Sequence, residues 1–155
     1  MENYLEILTD SLKKKSKVLD EIMRYNSDQE NLLRQESISL EELDANMELK
    51  DGLIQKLVQL DDGFETLYER IKEQLLTQKD QYKAQIGQMQ ELISQITEKS
   101  VSIQAQEARN KGMIENYFAR ERGQLRQSRQ VSKAAYGYYK SMSNGVSSQL
   151  LDQKK

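Results

Sequence analysis

A chain of 155 residues with 37% apolar and 31% charged side chains has room for one domain, and that balance suits long helices with narrow buried stripes better than a thick globular core. It holds no proline, cysteine, histidine or tryptophan, so the usual metal ligands, the neutral-pH acid/base and the strongest nucleophile are missing; no enzyme, no metal and no cofactor is expected. The net charge of −2 conceals a polarity, because residues 1–104 carry 13 Lys/Arg against 21 Asp/Glu (net −8) and residues 105–155 carry 10 against 4 (net +6).

The opening Met1-Glu2-Asn3-Tyr4-Leu5-Glu6 has neither the basic nor the apolar region of a signal peptide. No stretch approaches the roughly 20 apolar residues of a membrane span. A cytoplasmic location is therefore expected. The first helix is predicted from about Glu2 to about Gln35. Leu5, Leu8, Leu12, Lys15, Leu19, Ile22, Asn26, Gln29 and Leu33 follow one another at steps of three and four, a spacing that only a helix brings onto one side. Lys13-Lys14-Lys15-Ser16-Lys17 reads as a solvated face whose stems lie along the stripe.

A tight turn is predicted at 36–39. Ser39 and Glu42 have the spacing of a capping box, Ile38 and Leu43 that of a hydrophobic staple, and Glu41, Glu42 and Asp44 face the positive end of a helix dipole. The repeat then continues unbroken through Leu40, Leu43, Met47, Ile54, Leu57, Phe64, Tyr68, Ile71, Leu75, Tyr82, Met89, Leu92, Ile96 and Ile103. Where the second helix stops is open. Asp61-Asp62-Gly63 is one candidate break, Thr77-Gln78-Lys79-Asp80 is another, and a continuous rod to about Glu107 is the third solution, supported by helical pairs such as Glu69/Lys72 and Asp80/Lys83. The Asp61-Asp62 and Glu41-Glu42 pairs read as solvated or capping carboxylates.

Arg109-Asn110-Lys111-Gly112 is a softer spot, after which Met113, Ile114, Tyr117, Phe118 and Leu125 resume the stripe with a one-residue slip, in a helix reaching about residue 130. Arg122, Arg126, Arg129 and Lys133 share one face beyond it. The stretch from Ala134 to Met142 is aromatic-rich, Ser143-Asn144-Gly145 should end any helix, and residues 146–155 should fray. The fold class is all-α: an antiparallel long-helix coiled-coil hairpin or three-helix bundle over 1–130, with a loosely packed C-terminal helix and a partner-binding segment at 131–155.

Heptad stripes ordinarily pack against the chain's own helices. The C-terminal segment is the longest piece with apolar content and no evident mate, and four of the eight tyrosines lie within Tyr117–Tyr139. For Tyr136, Tyr138, Tyr139 and Met142, partner binding and simple docking on the body weigh about equally, and Gly137 loosens the helix there. Leu125, Val131 and Ala135 complete the apolar contact set, with Arg122, Arg126 and Arg129 available for acidic groups on a partner. Nucleic-acid binding through the arginines and tyrosines is the weaker option beside an acidic body, so no nucleic acid is expected as a partner.

In order along the chain, Tyr4-Leu5-Glu6-Ile7-Leu8, the segment from Met47 to Leu57, the segment from Glu107 to Ile114 and Val131-Ser132-Lys133-Ala134-Ala135-Tyr136-Gly137 resemble elements of the flagellar type III export chaperones, the FlgN type first and the FliT type second. Leu49-Lys50 stands where that family's Glu-Lys pair falls. The resemblance implies a cytoplasmic chaperone that binds the C-terminal helical segments of hook-filament junction or cap subunits, prevents their early assembly and brings them to the export apparatus. A homodimer is compatible with this reading. The rival from another class is a homo-oligomeric coiled-coil spacer with no export client, its stripes satisfied by self-association.

Overall fold

The computed structural model describes residues 1–120 and Tyr138. Expectations that fall elsewhere lie outside the described residues: the arginine face, the helix end at 143–145 and the boundary at 130. Three long helices run up, down and up: α1 (Glu2–Leu33), α2 (Leu40–Thr77) and α3 (Lys83–Arg120). The all-α reading holds. Helix α1 packs along both α2 and α3, which approach each other far less closely. Cross-helix contacts record the directions. Lys15 meets Asp61 and Gln29 meets Lys50, so α1 and α2 are antiparallel, whereas Ser16 meets Lys99 and Asn26 meets Asn110, so α1 and α3 are parallel. Among the described residues no helix is long and apolar enough to cross a membrane.

The predicted turn sits between α1 and α2. Ser39 is the N-cap of α2 in extended conformation, and its Oγ accepts from the Glu42 N–H at 3.3 Å. Only this arm of the capping box forms, and Glu42 itself is exposed. Of the three possible ends for the second helix, the one at 77–80 is realised. No apolar side chain lies between Leu76 and Tyr82, and the Thr77 hydroxyl turns back onto the Glu73 carbonyl at 2.7 Å. The turn is closed by Gln81 N–H to Gln78 O at 3.0 Å and Tyr82 N–H to Gln78 O at 3.3 Å. Asp61-Asp62-Gly63 does not break the helix: glycine's cost of about 1 kcal/mol is set against burial of Leu57, Phe64 and Tyr68 on either side. Arg109-Asn110-Lys111-Gly112 likewise stays helical within α3, which corrects the softer reading. Asn110 there is buried and hydrogen-bonded to α1.

The heptad of α2 is complete once two polar residues are counted. Leu43, Met47, Lys50, Ile54, Leu57, Asp61, Phe64, Tyr68, Ile71 and Leu75 alternate steps of three and four without a gap, and all but the half-buried Asp61 are buried. On α3 the structure buries Ile93 where the sequence stripe took Leu92, which is only half-buried. The expected slip appears late in α3, where Ile114 is followed by buried Phe118 instead of Tyr117.

The apolar residues form two clusters. The larger runs from Leu5 to Ile22 on α1, Ile54 to Leu75 on α2, Tyr82 in the turn before α3, and Ile86 to Ile103 at the start and middle of α3. The smaller lies at the end closed by the α1–α2 turn and comprises Leu33, Leu43, Met47, Ile114 and Phe118. Between them lies a buried polar layer of Asn26 and Gln29 from α1, Asn46 and Lys50 from α2, and Glu107 and Asn110 from α3. Lys50 Nζ stands 2.8 Å from Glu107 Oε1, with side chains only 5% and 3% exposed, and donates to Gln29 Oε1 at 3.2 Å. Asn110 Nδ2 donates to the Asn26 carbonyl at 2.9 Å and to Gln29 Oε1 at 3.0 Å. Asn46 Nδ2 donates to the Tyr25 carbonyl at 2.9 Å, and Asn26 Nδ2 donates to Gln106 Oε1 at 3.2 Å.

The layer is not fully satisfied. Among the described residues Asn26 Oδ1, Gln29 Nε2, Asn46 Oδ1 and Asn110 Oδ1 have no protein hydrogen-bond partner, and the contact of Glu107 Oε1 is its pairing with Lys50. Burial pushes the Lys50 ammonium below the ordinary lysine range although the Glu107 carboxylate pulls the other way. Desolvation therefore outweighs attraction, and the pair specifies alignment more than it stabilises. Removing one partner with Glu107→Ala is expected to lower unfolding stability by about 3–5 kcal/mol, while Lys50→Met with Glu107→Met together should be neutral or stabilising by about 1–4 kcal/mol. Urea denaturation of the three proteins checks both signs.

Candidate partner-binding surface

Lys15 and Asp61 occupy heptad positions on facing helices, which places an ammonium and a carboxylate inside the α1–α2 seam. Lys15 Nζ lies 2.6 Å from Asp61 Oδ1, with the lysine side chain buried and the aspartate about one third exposed. This corrects the reading of Lys15 as part of a solvated face. Its neighbours Lys13, Lys14 and Lys17 are exposed as expected, and so is Asp62. Asp61 also accepts from the Tyr138 hydroxyl, at 2.6 Å to Oδ2. One carboxylate thus divides its two oxygens between an ammonium and a phenol, both as charge-assisted bonds.

Tyr138 is half-buried, and its ring packs against the larger apolar cluster. It is the one residue of the sequence-predicted contact set that the structure describes. Arg122, Leu125, Arg126, Arg129, Val131, Ala135, Tyr136, Tyr139 and Met142 lie outside the described residues. At Tyr138 the structure brings the C-terminal segment into touch with the body.

On the outer side of the α1–α2 seam runs an apolar groove of about 310 Å³. Ile7 and Leu8 line it from α1, Leu60, Phe64 and Leu67 from α2, and Asp10 and Lys14 are among its polar residues. A side chain added at Gly63, which also lines the groove, would meet open space. Ile7 is 56% exposed, and Tyr4, one turn earlier, is also exposed. Phe64 stacks on Tyr68 with ring centroids 6.1 Å apart, which stiffens this wall. The groove between α1 and α3 near the N-terminus is different in kind, being lined mainly by polar residues such as Glu2, Glu6, Thr9 and Gln88.

The sequence reading missed the groove because it counted the buried stripe and left aside the exposed apolar residues flanking it. Ile7 and Leu60 each stand one residue before a heptad position, and that offset is the signal that marks them. Among the described residues no three His, Cys, Asp or Glu side chains are grouped to hold a metal ion. What the surface offers is apolar contact with a few charged groups at its edge. No protein-family model, curated protein or solved structure matches this chain.

Tyr138→Phe keeps the ring and removes the donor to Asp61. A loss of about 0.5–1.5 kcal/mol in unfolding free energy is expected, read by thermal denaturation. Asp61→Asn is expected to lower stability further, because it leaves the buried Lys15 ammonium without its counter-charge.

Proposed function

We propose that this protein is a chaperone-like binding protein that holds amphipathic helical segments of other proteins. In its specific form, the clients are the C-terminal segments of flagellar hook-filament junction or cap subunits, held in the cytoplasm before type III export. The observation that carries the general reading is the apolar groove between α1 and α2, open among the described residues, with Ile7 more than half exposed at its edge. Helix-in-groove recognition uses such a seam: the client lays its apolar face against it, and each Å² removed from water contributes roughly 25 cal/mol. The ordered resemblance of four segments to the FlgN-type chaperones supports the narrower choice of client. In this proposal the basic, tyrosine-rich segment adds a second contact through Leu125, Val131, Ala135, Tyr136, Tyr139 and Met142. Arg122, Arg126 and Arg129 engage acidic groups on the client or the export apparatus.

Isothermal titration calorimetry with synthetic C-terminal peptides of a hook-filament junction subunit and of a cap subunit tests both levels. The full chain is expected to bind one of them, and Ile7→Asp, an exposed change that leaves the core untouched, is expected to weaken binding at least about tenfold. Truncation after Gln130 should weaken it as well; unchanged affinity in the shortened chain would remove the C-terminal segment from the mechanism. No binding by the full chain to either peptide, together with a stable oligomer in light scattering, would overturn the client reading in favour of the spacer.

A further inference from the structure

We infer that the end of the bundle closed by the α1–α2 turn opens as a separate unit, with the polar layer as its boundary, while the larger core stays folded. Three observations carry this. First, the apolar packing is discontinuous. Among the described residues Leu33, Leu43, Met47, Ile114 and Phe118 form their own cluster, separate from the larger one. Cooperative unfolding spreads through shared buried contacts, so an interrupted core divides into units of different stability.

Second, the layer between them loses little when water reaches it. Its amide atoms without a partner among the described protein groups can bond water, and Lys50 and Glu107 are hydrated where water reaches them. An apolar layer in the same place would resist such an opening.

Third, the layer also clamps. Asn110 and Gln106 of α3 bond to the Asn26 and Met23 carbonyls of α1, and Asn46 of α2 bonds to Tyr25. These bonds hold the three helices in place at that level, so an opening that begins at the turn stops there. The smaller cluster is also the less extensive one, with five buried apolar residues against eighteen. This inference does not depend on the identity of any client and stands or falls separately from the chaperone reading.

Hydrogen exchange of the full chain, followed by mass spectrometry in low concentrations of guanidinium, tests it. Segments 30–33, 43–45 and 111–118 are compared with 5–11, 68–75 and 86–93, which lie near helix ends at the opposite pole and so control for simple fraying. The first set is expected to exchange at least about tenfold faster, with a shallower denaturant dependence than the second. The variant carrying Lys50→Met and Glu107→Met should fuse the two cores and bring the first set to the rates of the second. Equal rates and slopes in the unmodified protein would overturn the separate unit. Unchanged rates in the double variant would overturn the polar layer as its boundary. The unmodified protein decides the first point even if the variant folds poorly.

Discussion

A lysine and a glutamate facing each other in the middle of an apolar seam set the alignment of this bundle. Lys50 and Glu107 come from helices α2 and α3, which otherwise approach each other little. Each would be a buried unpaired charge in any other alignment. Sliding α3 by one heptad, about 10 Å at 1.5 Å per residue, would still match apolar stripe to apolar stripe. It would also part Glu107 from Lys50, leaving the buried ammonium with Gln29 but without its counter-charge. The surrounding amides add the same constraint on α1, since Asn110 reaches the Asn26 carbonyl and Gln29 only at the observed offset. Polar residues at core positions of coiled coils select one register at the expense of stability, and here three helices share one such layer.

The same arrangement explains why certain parts of the fold could be read from the residues alone and others could not. The α1 stripe, the Ser39 cap and the turn before it are local signals, set by neighbours within one or two helical turns. The end of α2 was one of three equal solutions because the heptad phase runs unbroken across it. What separates them is tertiary: burial of Phe64 and Tyr68 carries the helix past Gly63, and the absence of anything to bury after Leu76 stops it. Lys15, Lys50 and Asp61 looked like solvated residues or gaps in the stripe. Their partners are 46 and 57 residues away along the chain for the Lys15–Asp61 and Lys50–Glu107 pairs, and no local pattern pairs them. For the candidate site, the stripe pointed to the C-terminal segment, and Tyr138 is where that segment can be compared with the body. The outer groove was legible only as the offset of Ile7 and Leu60 from the heptad, a signal too weak to stand alone.

Apolar packing differs between the two ends of the molecule. The end holding Leu5, Leu75 and Tyr82 is continuous with the larger core and carries the outer groove with Ile7 at its rim. The opposite end has a smaller core rich in methionine and aromatic side chains, among them Met47, Met113, Tyr117 and Phe118, whose last two rings meet edge to face with centroids 5.1 Å apart. Residues 1–104 carry a net charge of −8, so a partner with basic flanks would meet complementary charge on this stretch.

Because α1 and α3 point the same way, residue 2 and residue 120 stand at opposite poles, separated by nearly the full length of a 38-residue helix, about 57 Å. The bundle therefore sets a fixed distance between these two points. A pull between Glu2 and Arg120 loads the helices lengthwise, shearing the seams that α1 makes with α2 and with α3.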